Sequence, residues 1–431
     1  MMNGCKGQSA TPVVRPATQA NRFYTGDARE LSEEVDSFLA LHRDDTKYSN
    51  VAALIVPHAG YYFSGNVAAS AYMAIDTKKQ YKRIFLLGPS HHEWLDGASV
   101  NTEADYYATP LGNVKVDHET AMKLTTTDCT DDTDFFYRPE AHDREHCLEV
   151  QLPFLQRFFT LYSSLSTQEM PPIVPIVIST NDYDKLKRIA EVLKPYFTDE
   201  NLFVISSDFS HYPSYEDAYE VDAKTGKAIE TGDVEEFIAT INANARSGKR
   251  NLHTSACGEF AIITLMLMLD QNYEVKHLVY QNSGDIDNHD HSRVVGYHSF
   301  AILRNDNTGF TLSDADKKAL KEIAFNSIRD SLDGKPIAQP TLTSDLLPLT
   351  SKCGAFVSLH KHGHLRGCIG HFGEDYPLHE IVAEMARAAA FEDPRFMPVT
   401  RDELNDLDIE ISVLTPMRRI QSLEEFELHR H

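Results

Sequence analysis

The sequence predicts a two-domain chain: an α/β domain whose mixed or parallel sheet is covered by helices on both faces, then a smaller α+β domain. Three observations lead there. The chain has 431 residues, whereas a single hydrophobic core rarely grows past about 250–300. In the first half, mostly apolar runs of strand length alternate with helical patterns, as expected of a sheet buried on both sides. The polar string Asn305-Asp306-Asn307-Thr308-Gly309 then interrupts the pattern with turn chemistry, and a different pattern follows. The expected domains are residues 1–305 and 310–431.

The elements follow in order. Residues 1–20 are polar and read as a loose lead-in, and Ala28–Leu41 is an amphipathic helix. Ala52–Val56, Arg83–Leu87, Ile173–Ile178 and Leu202–Ile205 have the length and composition of buried strands. Helical patterns cover Val67–Ile75, Leu148–Phe158, Asp184–Tyr196, Val234–Asn242 and Phe260–Leu269, and Val294–Leu303 is a late strand. Beyond the break, Ser313 is a candidate N-cap for a helix over Asp314–Leu332. Gly354–His360 and Leu365–Ile369 are strands joined by the turn Lys361-His362-Gly363-His364. Leu378–Ala390 is a helix, and Asp408–Leu414 alternates like a half-exposed strand.

Composition excludes several classes of function. The formal net charge is −23, so the chain repels nucleic acid and anionic membrane alike. Its six cysteines are spread widely and form no CxxC pair, which fits a reducing compartment better than a disulfide framework. The N-terminus lacks the apolar run of a signal peptide. The longest apolar stretch, Phe260–Leu269, is half of the roughly 20 residues a membrane span needs. A cytoplasmic protein is expected.

Candidate chemistry sits where the strands end. The first ends in Pro57-His58-Ala59-Gly60-Tyr61, the second in Gly88-Pro89-Ser90-His91-His92, and the fourth in Ser206-Ser207-Asp208-Phe209-Ser210-His211. Open α/β sheets bind ligands outside the carboxyl ends of their strands. His58, His91, His92, Asp208 and His211 are therefore expected to face one pocket, with His58 and His91 at adjacent strand ends. Ala256-Cys257-Gly258 joins them just before an apolar helix, where the helix dipole favours a thiolate. Two imidazoles with a thiolate or carboxylate form an ordinary ligand set for iron, copper or zinc. A lone strand-end histidine is more often a hydrogen-bonding residue, and it is the repetition that favours a metal. His289-Asp290-His291 reads as a solvated loop, and His42, His118, His253 and His277 show no partner pattern.

These strings, together with Glu145-His146-Cys147-Leu148-Glu149-Val150-Gln151-Leu152-Pro153, Asn282-Ser283-Gly284-Asp285 and Val294-Val295-Gly296-Tyr297, resemble the Memo family in order and spacing from about Arg15 to Arg304. The resemblance implies a fold shared with class III extradiol dioxygenases, which are non-heme iron enzymes. It also implies iron or copper ligands at His58, His91 and Cys257, with Asp208, His211 and His146 at further catalytic positions of the pocket. Dioxygenases of this fold use two histidines and a carboxylate. Cys257 at the third position departs from that set and points to redox or copper chemistry, since a thiolate is softer and easily oxidised.

Leu365-Arg366-Gly367-Cys368-Ile369-Gly370 resembles the signature of the AMMECR-type domain, supported by Phe391-Glu392-Asp393-Pro394-Arg395-Phe396. The family domain continues well beyond the position of His431, so an incomplete or reduced copy is expected here. Arg366 offers a bidentate donor for carboxylate or phosphate, Gly367 a close backbone approach, and Cys368 a nucleophile. The plainer reading is a bulged strand with a small buried thiol.

Memo-like and AMMECR-like proteins are grouped with a radical-SAM protein as the AmmeMemoRadiSam system. The resemblance therefore implies a radical-SAM protein as partner, acting with this chain on a small-molecule or protein substrate. Three functions are expected to compete: a non-heme iron or copper redox enzyme, a metal-binding accessory protein without catalysis, and a zinc hydrolase.

Overall fold

The computed structural model describes residues 11–126, 134–162, 170–270, 272–286, 290–304, 312–335, 349–373 and 376–414. They fall into two compact units, Met1–Asn305 and Asp306–His431. The turn-rich string Asn305 to Gly309 lies outside the described residues.

The first unit is built on a mixed sheet of eight strands: β1 (Val51–Val56), β2 (Arg83–Pro89), β3 (Gly97–Val100), β4 (Phe135–Phe136), β5 (Ile173–Ser179), β6 (Asn201–Ser206), β7 (Tyr273–Asn282) and β8 (Gly296–Arg304). Their spatial order is β7-β8-β1-β6-β2-β5-β3-β4. The four strands read from apolar runs form its parallel centre, β1-β6-β2-β5. Every residue of β1, β5 and β6 is buried, which is why these strands carry no alternation. Because the four run the same way, their carboxyl ends share one edge. The order corrects one expectation: β6 lies between β1 and β2, so Asp208 enters between the strand ends that carry His58 and His91.

Helices cover both faces, and separate apolar cores form on each side of the sheet. Ala28–Leu41 is capped by Asp27, whose side chain accepts from the backbone N–H of Arg29 and Glu30, and it buries Leu31, Val35 and Leu39 at four-residue spacing. The helix expected at Val67 begins at Tyr61, directly after Gly60, since Tyr61, Ser64 and Gly65 are buried as well. The pattern over Leu148–Phe158 is two helices, His146–Glu149 and Leu152–Leu161. Pro153 has no N–H to continue the first and starts the second.

Residues 11–20 are not loose. Val14–Arg15 pairs in parallel with Tyr106–Tyr107, and Arg15 is buried. Strand β7 and the helix Tyr215–Glu230 carried too little apolar periodicity to be read. The strand is an edge with mostly half-buried residues, and the helix buries Val221 and Ile229 among a majority of small or polar residues, such as Ala218, Asp222, Thr225 and Gly226.

The second unit holds a three-stranded antiparallel sheet with Ala355–Lys361 between His364–His371 and Leu407–Val413. Helices Asp314–Leu332 and Leu378–Phe391 share its core through Leu320, Ala324, Ile328, Val357, Leu359, Ile381 and Val382. Ser313 caps the first of them in a capping box with Asp316. A Cβ at Gly367 would overlap the backbone carbonyl of Ala389 in the second helix. Gly367→Ala is thus expected to destabilise this unit by about 1–3 kcal/mol, the range for overpacking. A denaturant midpoint for this unit equal to the parent's would refute that packing role.

Candidate metal centre

The site is assembled at the shared edge of β1, β6 and β2. His58 follows β1 and is buried, with 1% of its surface exposed. Asp208, after β6, holds its main chain: one carboxylate oxygen accepts from the N–H of His58 at 2.7 Å and of Ala59 at 3.2 Å. The His58 ring has Nδ1 2.9 Å from Ser206 Oγ and Nε2 3.1 Å from Cys257 Sγ. Cys257 is held beside Asp208 by paired contacts. Its N–H donates to the Asp208 carbonyl at 3.1 Å, and the Asp208 N–H lies 3.2 Å from its sulfur. Gly258 permits this close approach, since a Cβ there would stand 2.7 Å from the Ser206 carbonyl.

His91 follows β2 and is organised by Glu145. The carboxylate accepts from the His91 N–H at 2.7 Å and from its Nδ1 at 2.8 Å, and the N–H groups of His146 and Cys147 also point into it, at 2.9 and 3.1 Å. His146 Nδ1 lies 3.2 Å from the same oxygen, and Phe23 stacks on that ring at 4.4 Å. One ring nitrogen from each of His58, His91 and His146 lies within 4.8 Å of the others. Among the described residues, the other group this close is His91, Glu145 and Cys147. The triad His58, His91 and Cys257 is not itself such a group. Cys257 stands against His58 instead, and His146 completes the imidazole cluster. His92 is exposed, and its charge adds to the lowering of His146.

Burial and neighbouring charges set the protonation of these groups differently. Burial holds the His58 imidazole well below its ordinary range, with His146 and His91 adding to the depression. Burial also lowers His146, against the pull of Glu145. Neutral rings are the form that binds metal. Burial pushes the Glu145 carboxyl up, but hydrogen bonds from His146 and His91 outweigh it and leave it well below the usual range. An ionised carboxylate only accepts, so the His91 Nδ1 bonded to it carries hydrogen and its Nε2 is left bare. Burial pushes the Asp208 carboxyl up to about 7 and lowers His211 to about 4, with His91 next in effect. The buried His211 Nε2 makes no hydrogen bond. Burial, then the Asp208 charge, holds the Cys257 thiol well above its ordinary value, so the helix start does not by itself make it a thiolate. The donor set, three imidazoles and a thiol with each Nδ1 beside an oxygen, fits a transition-metal ion.

Outside this pocket, His291 stacks on Tyr215 and its Nε2 lies 2.9 Å from the Gly284 carbonyl. His289 lies outside the described residues. His277, discounted from sequence, pairs with His298 at 2.9 Å. Glu145, Ser206 and Gln151 were not singled out from sequence. A carboxylate directly before a pocket histidine was the available signal for Glu145.

In the second unit, Arg366 grips Glu403 with Nε and one terminal nitrogen, at 3.2 and 3.1 Å, and donates to the Met397 and Pro398 carbonyls. The fork is engaged by the protein's own acceptors. Asp393 accepts from the Cys368 N–H at 2.9 Å, and Arg395 donates to the Cys368 carbonyl. The Cys368 sulfur accepts from Ser358 Oγ at 3.1 Å. The motif does form a strand with a bulge, opposite Leu359 and His360, but Cys368 is half-buried and not the buried thiol expected.

The α/β unit with its histidine cluster is of the Memo type: residues 15–301 match the family model described as Memo-like protein, and the chain belongs to that family. Residues 321–431 match the AMMECR1 model, so one chain fuses the two. The MEMO1 family protein of Nitrosopumilus maritimus is 30% identical over 299 residues, covering 68% of this chain and 100% of that protein. A Methanococcus vannielii member is 31% identical over 304 residues, covering 67% and 100%. The yeast protein MHO1 of Saccharomyces cerevisiae is 34% identical over 203 residues, 46% of this chain and 60% of its own length. A solved structure of an uncharacterized Pyrococcus horikoshii protein is 37% identical over 26% of this chain and 58% of that one, with a TM-score of 0.24. Among the described residues no helix is long and apolar enough to cross a membrane.

Proposed function

We propose that the Memo-like unit is a metal-dependent redox enzyme that binds iron or copper at His58, His91 and Cys257, with His146 as a further donor. One observation carries the reading: three imidazole nitrogens within 4.8 Å of one another, with the Cys257 sulfur 3.1 Å from His58 Nε2. Iron or copper there would supply one-electron chemistry. The rest falls to the chain. Glu145 and Ser206 orient the rings. Asp208, with a carboxyl poised near neutrality 4.0 Å from His58 Nε2, takes up or releases a proton. His211 offers its unpaired Nε2 to a bound molecule. The His91 side chain, 26% exposed, marks the open side where substrate enters. The substrate is a small molecule or protein group that a radical-SAM partner makes or consumes, and the fusion of Memo and AMMECR1 families in one chain supports such a shared process.

A second reading is favoured by His146. Three imidazoles without a thiolate are a zinc set of the hydrolytic kind. Elemental analysis of protein purified without oxygen separates the two. The redox reading expects iron or copper in the parent and at least a tenfold loss of metal in His58→Ala, His91→Ala and Cys257→Ala. Zinc that survives Cys257→Ala but not His146→Ala selects the hydrolase. Equal metal in the parent and all four variants removes both and favours an accessory protein without a metal site here.

A further inference from the structure

We infer that Ser206, oriented by Gln151, is a positioning residue that locks His58 in the tautomer with hydrogen on Nδ1, leaving a bare Nε2 toward Cys257. The deduction rests on groups that have no choice of role. The Pro57 carbonyl can only accept, so the Gln151 atom 2.9 Å from it is the amide nitrogen. The amide oxygen then takes the hydrogen of the buried Tyr72 hydroxyl at 2.7 Å. That same amide nitrogen lies 2.9 Å from Ser206 Oγ, so Ser206 accepts there. The single hydrogen of Ser206 goes to the Cys147 carbonyl at 2.6 Å, another group that only accepts. Ser206 Oγ has now donated once and accepted once. Toward His58 Nδ1, at 2.9 Å, it has only a lone pair left, so the ring nitrogen must donate.

None of these partners can be replaced by water. Ser206 and Tyr72 are fully buried, and Gln151 and His58 are each 1% exposed. Gln151 reaches both targets because it sits at the break between the helices His146–Glu149 and Leu152–Leu161. The lock binds together the carboxyl ends of β1 and β6 and the segment that carries His146. This inference deepens the reading of the pocket as a metal centre, because a ring whose Nε2 is already bare coordinates without exchanging tautomer. The lock itself does not depend on a metal being bound.

Nitrogen-15 NMR of histidine-labelled full-length protein in a chelating buffer tests it, with the His58 signals assigned by their loss in His58→Gln. The parent is expected to show a single His58 tautomer, protonated at Nδ1. Ser206→Ala removes the acceptor, and a substantial Nε2–H population is expected, with about a 10-fold to 100-fold loss of Co²⁺ affinity. Ser206→Thr keeps the hydroxyl and is expected to keep the parent tautomer. A parent ring protonated at Nε2, or a mixture in the parent, overturns the lock whether or not the variants fold. So does a Ser206→Ala protein whose tautomer is unchanged. If the tautomer behaves as expected while parent and variant both fail to bind Co²⁺, the lock stands and the metal reading falls.

Discussion

Glu149→Ala is expected to lower the stability of the Memo-like unit by about 3–5 kcal/mol, the cost of stranding a buried charge. Glu149 is fully buried, and its carboxylate lies 2.5 Å from an Arg15 side chain that is 4% exposed. It also accepts from the N–H of Thr18 and Gln19 at 3.1 and 2.9 Å and from the Tyr24 hydroxyl at 2.6 Å. Removing it leaves a guanidinium without a counter-ion and several donors without acceptors. Arg15 additionally donates to the carbonyls of His142 and Glu145. The loss therefore reaches the segment 15–24 whose Phe23 stacks on His146. Amide exchange in β1 and β6 as a function of denaturant is the suitable readout, since it reports on this unit separately from the other. Arg15→Met with Glu149→Leu together is expected to be milder than Glu149→Ala alone, because no charge is left behind. A loss under about 1 kcal/mol for Glu149→Ala would refute the argument, that being the scale of an exposed pair.

Glu145→Gln is expected to reduce metal affinity by about 10-fold to 100-fold while the fold is retained. Glutamine keeps the shape but replaces one acceptor oxygen by a donor. Whichever way the amide turns, its nitrogen faces an N–H: that of His91 on one side, or those of His146 and Cys147 together with His91 Nδ1 on the other. Either way, one of the two contacts that set His91 is lost. Calorimetric titration with Co²⁺, beside an unchanged circular dichroism spectrum, reads the effect. Parent-like affinity in Glu145→Gln would mean that the carboxylate does not hold the imidazoles for coordination.

The fold class and the family were legible because both depend on local strings. Buried parallel strands announce themselves as unbroken apolar runs, and Pro57-His58-Ala59-Gly60-Tyr61 or Ser206-Ser207-Asp208 can be recognised without coordinates. Strand β7, the helix Tyr215–Glu230 and the segment around Arg15 were not legible. Their burial rests largely on small, polar or charged side chains, and a partner can lie far away in sequence, as Glu149 does from Arg15.

By itself, then, the sequence determined that a covered α/β sheet exists, that imidazoles, carboxylates and a thiol cluster at its strand ends, and that the chain is Memo-like with an AMMECR-type segment after it. Only the tertiary structure decided which groups meet. It inserted β6 between β1 and β2, brought His146 into the imidazole cluster, set Cys257 against His58 rather than among all three rings, and engaged Arg366 with Glu403. The physical reason is that strand order and side-chain partnership are long-range choices. They are settled by packing and by the need to match every buried donor with an acceptor, as at Ser206, and no local run of residues encodes that matching.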